Sequence, residues 1–387
     1  MTTPRLTDPE LLTWLARMRA EQPLWVDEQG GTHVFRYADV QAIASDPQRF
    51  SSNLGRLMPF LDQEKLAYNL IWVDPPAHRP LRSVISPAFT PKAIAALRGR
   101  ITEIADRLIA AAPEEEFDFV EAVGYPLPII VIAELLGVSP GDREFFRDCA
   151  DRRLGLRVDP DASQEELAAM VTEATKDLDA YLADLVEQRR ARPEDGLLDD
   201  FIAAGLGDAQ VCAFATLLLT AGYVTTTLLL GNALLCLRDE PAIAAALRAD
   251  RSLIPAAVEE VLRVRPPIPQ QRRITNEQVV LGGEVIPANS LVTLWVLSAN
   301  HDERQFAEPR RFDLTRAAGR HLAFGHGIHF CLGAPLARLE TEIALHRLFD
   351  EFTDVRVGTD IALRQVEFYG PERLPVLGVR SRGTVLS

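Results

Sequence analysis

The sequence predicts a mainly α-helical protein with small β-sheets. Three observations carry this. Helical periodicity runs through 91–112, 126–137, 142–156, 163–190, 196–249, 254–265 and about 332–349. Ala209 to Leu237 is a run of 29 residues without Asp, Glu, Lys, Arg or His. Strand-like alternation is confined to short pieces, so the chain is not an alternating βαβ sequence.

Taken in order, PLWVDEQGGTHVFRY (23–37) reads as a hairpin around Gly30 and Gly31, followed by a short helix in YADVQAIASD. Residues 51–71 carry Gly and Pro in a mixed pattern and read as an irregular loop with one short helix. Asp142 and Ser163 are candidate N-caps for the helices that follow them. The helix over 254–265 stops at PPIP. Residues 272–296 alternate, with turns at Gly282-Gly283 and Pro287-Ala288-Asn289. Residues 301–320 are polar and irregular, and the tail carries short strands around VEFYGPERLPVLGV.

The chargeless run has two readings. Its length fits a membrane span. It equally fits a helix buried on all sides, about 40 Å long at the usual rise. Five Thr, two Gly, one Asn and one Gln dilute its hydrophobicity, and no second run resembles it. The buried helix is therefore preferred. Thr225, Thr226 and Thr227 at its centre are an odd choice, because each hydroxyl can bond to the backbone.

The 387 residues are 47% hydrophobic and 25% charged, ordinary values for a globular protein with a substantial core. A net charge of −14 argues against nucleic acid or an anionic membrane as main partner. No linker, repeat or low-complexity tract divides the chain. The N-terminus lacks a signal pattern, and Cys149, Cys212, Cys236 and Cys331 are scattered, which suggests reduced thiols and a cytoplasmic location.

The most specific stretch is FGHGIHFCLGAPLARLE, 324–340. It is a Gly-rich loop that delivers Cys331 to the start of an amphipathic helix. A thiol there faces unpaired backbone N–H groups and the positive end of the helix dipole, which favours thiolate. Gly325, Gly327 and Gly333 let backbone approach a flat, bulky group. A buried free Cys in a tight turn is the alternative.

The whole pattern, Phe324, Gly325, Gly327, His329, Cys331 and Gly333, resembles the heme-binding loop of the cytochrome P450 family, soluble bacterial class. The resemblance extends from about residue 20 to 380 and implies a single cytochrome P450 domain over 1–387. It implies heme b clamped between a long central helix and the helix after Cys331. Cys331 would be the axial thiolate ligand, with Phe324 packed beside the sulfur. His78 and Arg82 in VDPPAHRPLR, with Arg273 and His329, match the positions that bind the heme propionates. Two donors at i,i+4 share one side of a helix and suit carboxylates. Pro80 departs from the family pattern and is tolerated only in the first helical turn. Glu260 and Arg263 form an E-x-x-R pair, which the family buries with a third residue, expected here to be Arg311.

The chargeless run matches the helix over the oxygen-binding face, with Ala221, Gly222 and Thr225 at the oxygen-activating positions. Gly222 would leave room for dioxygen. The Thr225 hydroxyl would hold bound oxygen or a water, or bond back to a helix carbonyl. Val224 stands where the family carries an acid for proton delivery. A substrate group or a water, an atypical reaction, or a substitute such as Tyr223 or Glu367 would account for it. Family position places the substrate pocket at the 55–72 loop, Leu217, Leu218, Val224, Ile268, Gln270, Glu367 and Phe368, with 142–190 as the lid.

The implied activity is insertion of one oxygen atom from O₂ into a small organic substrate, free or carrier-bound, by a monomeric enzyme. Oxidative coupling, ring formation or peroxide-driven chemistry is the alternative raised by Val224. A non-catalytic heme sensor is the third reading, disfavoured by Gly222 and Thr225. The chain has no flavin or nicotinamide fingerprint, so a separate ferredoxin or flavodoxin is implied. Arg98, Arg100, Arg338 and Arg347 are the candidate basic patch for it.

Overall fold

The chargeless run organises the fold. In the computed structural model, residues 8–57, 66–113, 116–154, 163–316, 320–364 and 367–380 are described. The helices are α1 (Asp8–Glu21), α2 (Tyr37–Ala44), α3 (His78–Ile85), α4 (Pro91–Ala96) and α5 (Arg98–Ala111). They continue with α6 (Pro126–Leu136), α7 (Arg143–Arg153), α8 (Gln164–Ala191) and α9 (Leu197–Ala203). The central run follows as α10 (Asp208–Gly222) and α11 (Val224–Asp239), then α12 (Pro241–Ala249), α13 (Ile254–Val264) and α14 (Ala334–Glu351).

The run is long and apolar enough to cross a membrane, yet it lies largely inside the protein. From Val224 to Leu237 every side chain except Thr225 is buried. Burial of most of its surface explains why no charge interrupts it. It packs against α6, α8, α13 and α14. The run is not one straight helix: it is interrupted at Tyr223. The 196–249 segment likewise divides, at 204–207 and at Glu240 ahead of Pro241.

Caps follow the local sequence in part. Ser163 and Glu166 form a reciprocal capping box at α8. Asp142 does not cap α7; its carboxylate accepts from the Tyr181 hydroxyl at 2.9 Å instead. Pro80 is the third residue of α3, inside the first turn, where its missing N–H costs nothing.

The strands are β1 (Leu24–Val26), β2 (Thr32–Val34), β3 (Phe50–Ser51), β4 (Glu116–Asp118), β5 (Gln271–Thr275) and β6 (Val279–Leu281). They continue with β7 (Glu284–Ile286), β8 (Leu291–Leu294), β9 (Phe352–Val357), β10 (Ala362–Arg364), β11 (Gly370–Arg373) and β12 (Pro375–Arg380). The largest sheet has the order β1-β2-β8-β5-β3, with β2 and β8 parallel. Leu24 to Val26 pair with Thr32 to Val34 as a hairpin, and β6 and β7 form another around Gly282-Gly283. The 287–289 turn does not close a hairpin, because β8 pairs with β5. β4, β12 and β9 make a second sheet, and β10 pairs with β11. The loop expected at 55–72 holds a 3₁₀ turn at Leu54–Leu57; its residues 58–65 lie outside the described residues.

Candidate active site

Cys331 sits two residues before Gly333, which precedes α14. Its backbone N–H donates to the Phe324 carbonyl at 2.8 Å, closing the loop on itself. Gly325 and Gly327 both have φ of +72°, a conformation that favours Gly. At Gly327 a Cβ would also lie 2.7 Å from the Ala44 carbonyl oxygen, so the loop could not seat against α2 with a side chain there. At Gly333 a Cβ would meet nothing within 4 Å, so backbone borders open space beside the cysteine.

The thiol lies deep among protein atoms, yet its surface is open, so it lines an interior cleft. Burial pushes its pKa up. The N–H groups of Gly333 and Ala334 and the charges of Arg82 and Arg338 pull the other way without winning. The N–H groups at the helix start thus act in the expected direction, against desolvation. A coordinated metal cation would supply the missing stabilisation, because a metal deprotonates a ligating thiol outright.

Four nitrogen-bearing side chains gather beside this loop. The rings of His78 and His329 meet edge-on, with centroids 4.6 Å apart. Both Nε2 atoms are buried without a hydrogen-bond partner. Burial and the neighbouring Arg273, His78 and Arg82 drive the His329 pKa down to about 3. Burial lowers Arg273 to about 10, and its one hydrogen bond among the described residues goes to the Arg272 carbonyl at 2.8 Å. These depressed values have one cause. Cationic groups are crowded in low dielectric with little anionic charge beside them. Two carboxylates would relieve it, so the cluster fits the propionates of a heme.

Arg82 also reaches the cysteine loop. It donates to the Ile328 carbonyl at 2.8 Å and the Phe330 carbonyl at 2.7 Å, bracing the cysteine loop from α3. Phe324 is half-buried, with the Arg338 guanidinium 4.6 Å from its ring centre. Arg338 is held by Glu259 at 2.5 Å, whose other oxygen lies 3.3 Å from His321. Motif reading missed this cluster, because its members lie about 80 residues apart in sequence.

On the central helix, Ala221 is exposed and Thr225 half-buried amid buried neighbours, which marks the face that borders open space. The Thr225 hydroxyl donates to the Ala221 carbonyl at 3.0 Å, so the backbone-bonded alternative is the observed one. Its lone pairs remain able to accept. At Gly222 a Cβ would make ordinary contact with Ile132 of α6 at 3.4 Å, so α6 packs against one side of this position. Val224 is 4% exposed and packs in the main apolar cluster, not on the open face. Tyr223 is fully buried, and its hydroxyl donates to Asp151 at 2.9 Å. Burial first, then Tyr125 and Asp151, push its pKa far up, so it cannot replace the absent acid. Glu367 pairs with Arg272 at 2.5 Å on the surface and is equally unavailable.

Tertiary contacts bring the expected pocket segments together. The Tyr369 N–H donates to the Pro267 carbonyl at 2.9 Å, setting half-buried Phe368 beside half-buried Ile268 and buried Gln270. Asn232 of α11 donates to the Tyr369 and Arg265 carbonyls, both at 2.9 Å, and clamps both segments to the central helix. An Asn in a chargeless run was the available signal for this clamp. Leu217 and Leu218 are both about nine-tenths buried on α10.

The E-x-x-R pair is buried as expected: Arg263 binds Glu260 through two hydrogen bonds of 2.7 and 2.8 Å. The third member is Arg316, whose Nε lies 3.1 Å from Glu260. Arg311 contributes only its backbone carbonyl, to Arg263 at 3.1 Å; its side chain pairs with Glu308 on the surface. The expected basic patch is also corrected. Arg98, Arg100, Arg338 and Arg347 each pair with carboxylates, which cancels most of their charge.

Comparison with known proteins agrees with this geometry. Residues 160–360 match the family model for cytochrome P450. The erythromycin C-12 hydroxylase of Saccharopolyspora erythraea is 43% identical over 95% of this chain and 94% of its own. The cyclomarin C epoxidase CymV of Salinispora arenicola is 44% identical over 89% of each. The structure of a P450 EryK mutant in complex with erythromycin B aligns with a TM-score of 0.89 at 41% identity, covering 97% of this chain and 98% of that one. Ligand-free P450 TbtJ1 gives 0.89 at 48% identity, covering 97% and 99%. With a thiol at a helix start, a cationic cluster beside it and a central helix presenting Thr225, the chain belongs to the cytochrome P450 family and is a heme-thiolate monooxygenase.

Proposed function

We propose that this chain is a cytoplasmic, single-domain, monomeric enzyme that hydroxylates or epoxidises a small natural product with heme b as cofactor. The observation that carries the reading is the placement of Cys331 at the start of α14 beside the His78, His329 and Arg273 cluster. Relatives named for erythromycin hydroxylation and cyclomarin epoxidation support the substrate class. When bound, the heme supplies reductive activation of dioxygen at its iron.

The chain's own residues do the rest. Cys331 would hold the iron, and His78, His329 and Arg273 would hold the propionates, while Arg82 braces the loop. Ile268, Gln270 and Phe368, clamped through Asn232, orient the substrate. Thr225 donates its own proton to the Ala221 carbonyl and accepts a hydrogen bond on its open side. With Val224 buried and apolar, the proton comes from a substrate hydroxyl or carboxyl, or from a pocket water.

Electrons come from a ferredoxin or flavodoxin. Arg79 and Lys92 are exposed, carry no ion pair among the described residues, and lie on α3 and α4 next to the cysteine loop and α14. They take over the docking role from the neutralised arginines.

The test is a spectral titration of the ferric protein with fatty acids, aromatic amino acids, terpenoids, macrolides and carrier-bound acyl groups. It is followed by turnover under ¹⁸O₂ with a surrogate redox pair. A heme-band shift with one class and labelled product are expected. Unlabelled product would favour the second reading, oxidative coupling or ring formation, which the buried Val224 keeps open.

A further inference from the structure

The interruption of the central helix coincides with a buried polar network. Tyr223 is the single residue between α10 and α11, and its side chain is fully buried. Its hydroxyl donates to Asp151 Oδ1 at 2.9 Å. Asp151 belongs to α7 and is 1% exposed. The same oxygen accepts from the Tyr125 hydroxyl, on the residue that precedes α6. The two tyrosine rings meet edge-on at 5.3 Å. Arg147, one turn before Asp151, lies 3.9 Å from the Tyr125 ring centre and from Asp151 Oδ2, and pairs with Glu121 at 2.7 Å. One buried carboxylate therefore joins α7, the start of α6 and the helix break.

The opposite side of the break is held differently. Ala221 and Thr225 lie two residues either side of Tyr223, so they project about 200° away from its ring. Thr225 donates to the Ala221 carbonyl at 3.0 Å, and Thr226 to the Gly222 carbonyl at 3.1 Å. Hydroxyls thus occupy carbonyls just before the break, a pattern that bends helices. Ile132 fills the space over Gly222.

A phenylalanine and a leucine would fill the same volume without desolvating a charge, so packing alone does not account for the pair. What the polar pair adds is direction: a hydrogen bond to a carboxylate fixes where the Tyr223 backbone sits.

We propose that Asp151 is a positioning residue that, through Tyr223, holds the break in the central helix and so sets the direction in which Thr225 presents its hydroxyl to the cleft. This rests on the monooxygenase reading of the cleft. It also makes α7 and the oxygen face one mechanical unit, with the bond crossing the buried side of the helix.

The test uses the full-length, heme-loaded protein with carbon monoxide as probe. The infrared C–O band of the reduced complex reports polar groups beside the bound gas. Tyr223→Phe removes one hydroxyl from an unchanged ring and is expected to fold. Its C–O band should shift as in Thr225→Ala, and Tyr223→Phe/Thr225→Ala should match Thr225→Ala alone. Amide exchange across 219–228 should quicken roughly tenfold or more, the loss expected for a hydrogen bond to a charged group. Tyr125→Phe removes the other donor to Asp151 but keeps the Tyr223–Asp151 bond, and should shift the band less than Tyr223→Phe does.

A parental band and parental exchange in Tyr223→Phe would overturn the inference. So would band shifts that add in the double variant. Absence of a thiolate-type carbon monoxide spectrum in the parent would instead overturn the heme-thiolate reading, so the two failures are distinct.

Discussion

Arg263, Arg316 and Arg311 occupy one region yet carry different loads, and removing each separates them. Arg263 is 2% exposed and spends its donors on Glu260 twice and on the carbonyls of Asn300, Pro309 and Arg311. Arg263→Met leaves Glu260 buried with, among the described residues, the Asp313 N–H at 3.0 Å and the Arg316 Nε at 3.1 Å. Breaking one partner of a buried pair costs about 3–5 kcal/mol. Three carbonyls lose a donor as well, at about 1–3 kcal/mol each where they stay unsatisfied. Against a total stability of about 5–15 kcal/mol, this variant should yield little folded, heme-loaded protein.

Arg316→Ala keeps the two-bond Arg263 contact on Glu260 and should cost about 1–3 kcal/mol. Arg311→Ala loses only an exposed pair with Glu308 and should stay within about 0.5 kcal/mol of the parent. The assay is urea unfolding of each purified variant, followed by tryptophan fluorescence and by the thiolate-type carbon monoxide band. If Arg311→Ala shifts the midpoint as far as Arg316→Ala does, the assignment of the third member is wrong.

Cys331→Ala should abolish the thiolate-type carbon monoxide spectrum; an unchanged band would remove Cys331 as the axial ligand. Glu340 is 1% exposed on α14, and burial raises its pKa to about 8. The folded state therefore binds the extra proton. Its stabilisation is complete below the unfolded value near 4.5 and is lost as pH rises through 8. Glu340→Gln should be more than about 1 kcal/mol more stable than the parent at pH 8 and not at pH 4, read from urea midpoints. Equal pH dependence in both proteins would mean that the carboxyl is ionised when folded. Val224→Glu places a carboxyl at a 4% exposed apolar position and should lose about 2 kcal/mol or more. Product formed per reducing equivalent should stay at or below the parent; a rise would show that the position reaches the oxygen face.

The sequence by itself determined the helical class, the cysteine loop and the cationic residues beside it. Those signals are local. A Gly-rich turn, a thiol and a helix start lie within about ten residues, and His78 and Arg82 are spaced one turn apart. The chargeless run also spoke for burial, because its five Thr, two Gly, one Asn and one Gln dilute it relative to a membrane span.

What the tertiary structure decided depends on side chains that meet across long separations. Arg316 rather than Arg311 reaches Glu260, since both lie in an irregular segment whose path has no period to read. The buried contact at the helix break joins Tyr223 to Asp151, 72 residues earlier, which motif spacing could not reveal. Ile132 of α6 packs beside Gly222, a neighbour that sequence spacing could not reveal. The charges of Arg98, Arg100, Arg338 and Arg347 are visible in the sequence, but their cancellation is not. Ion pairing is a property of distance, and distance is what folding sets.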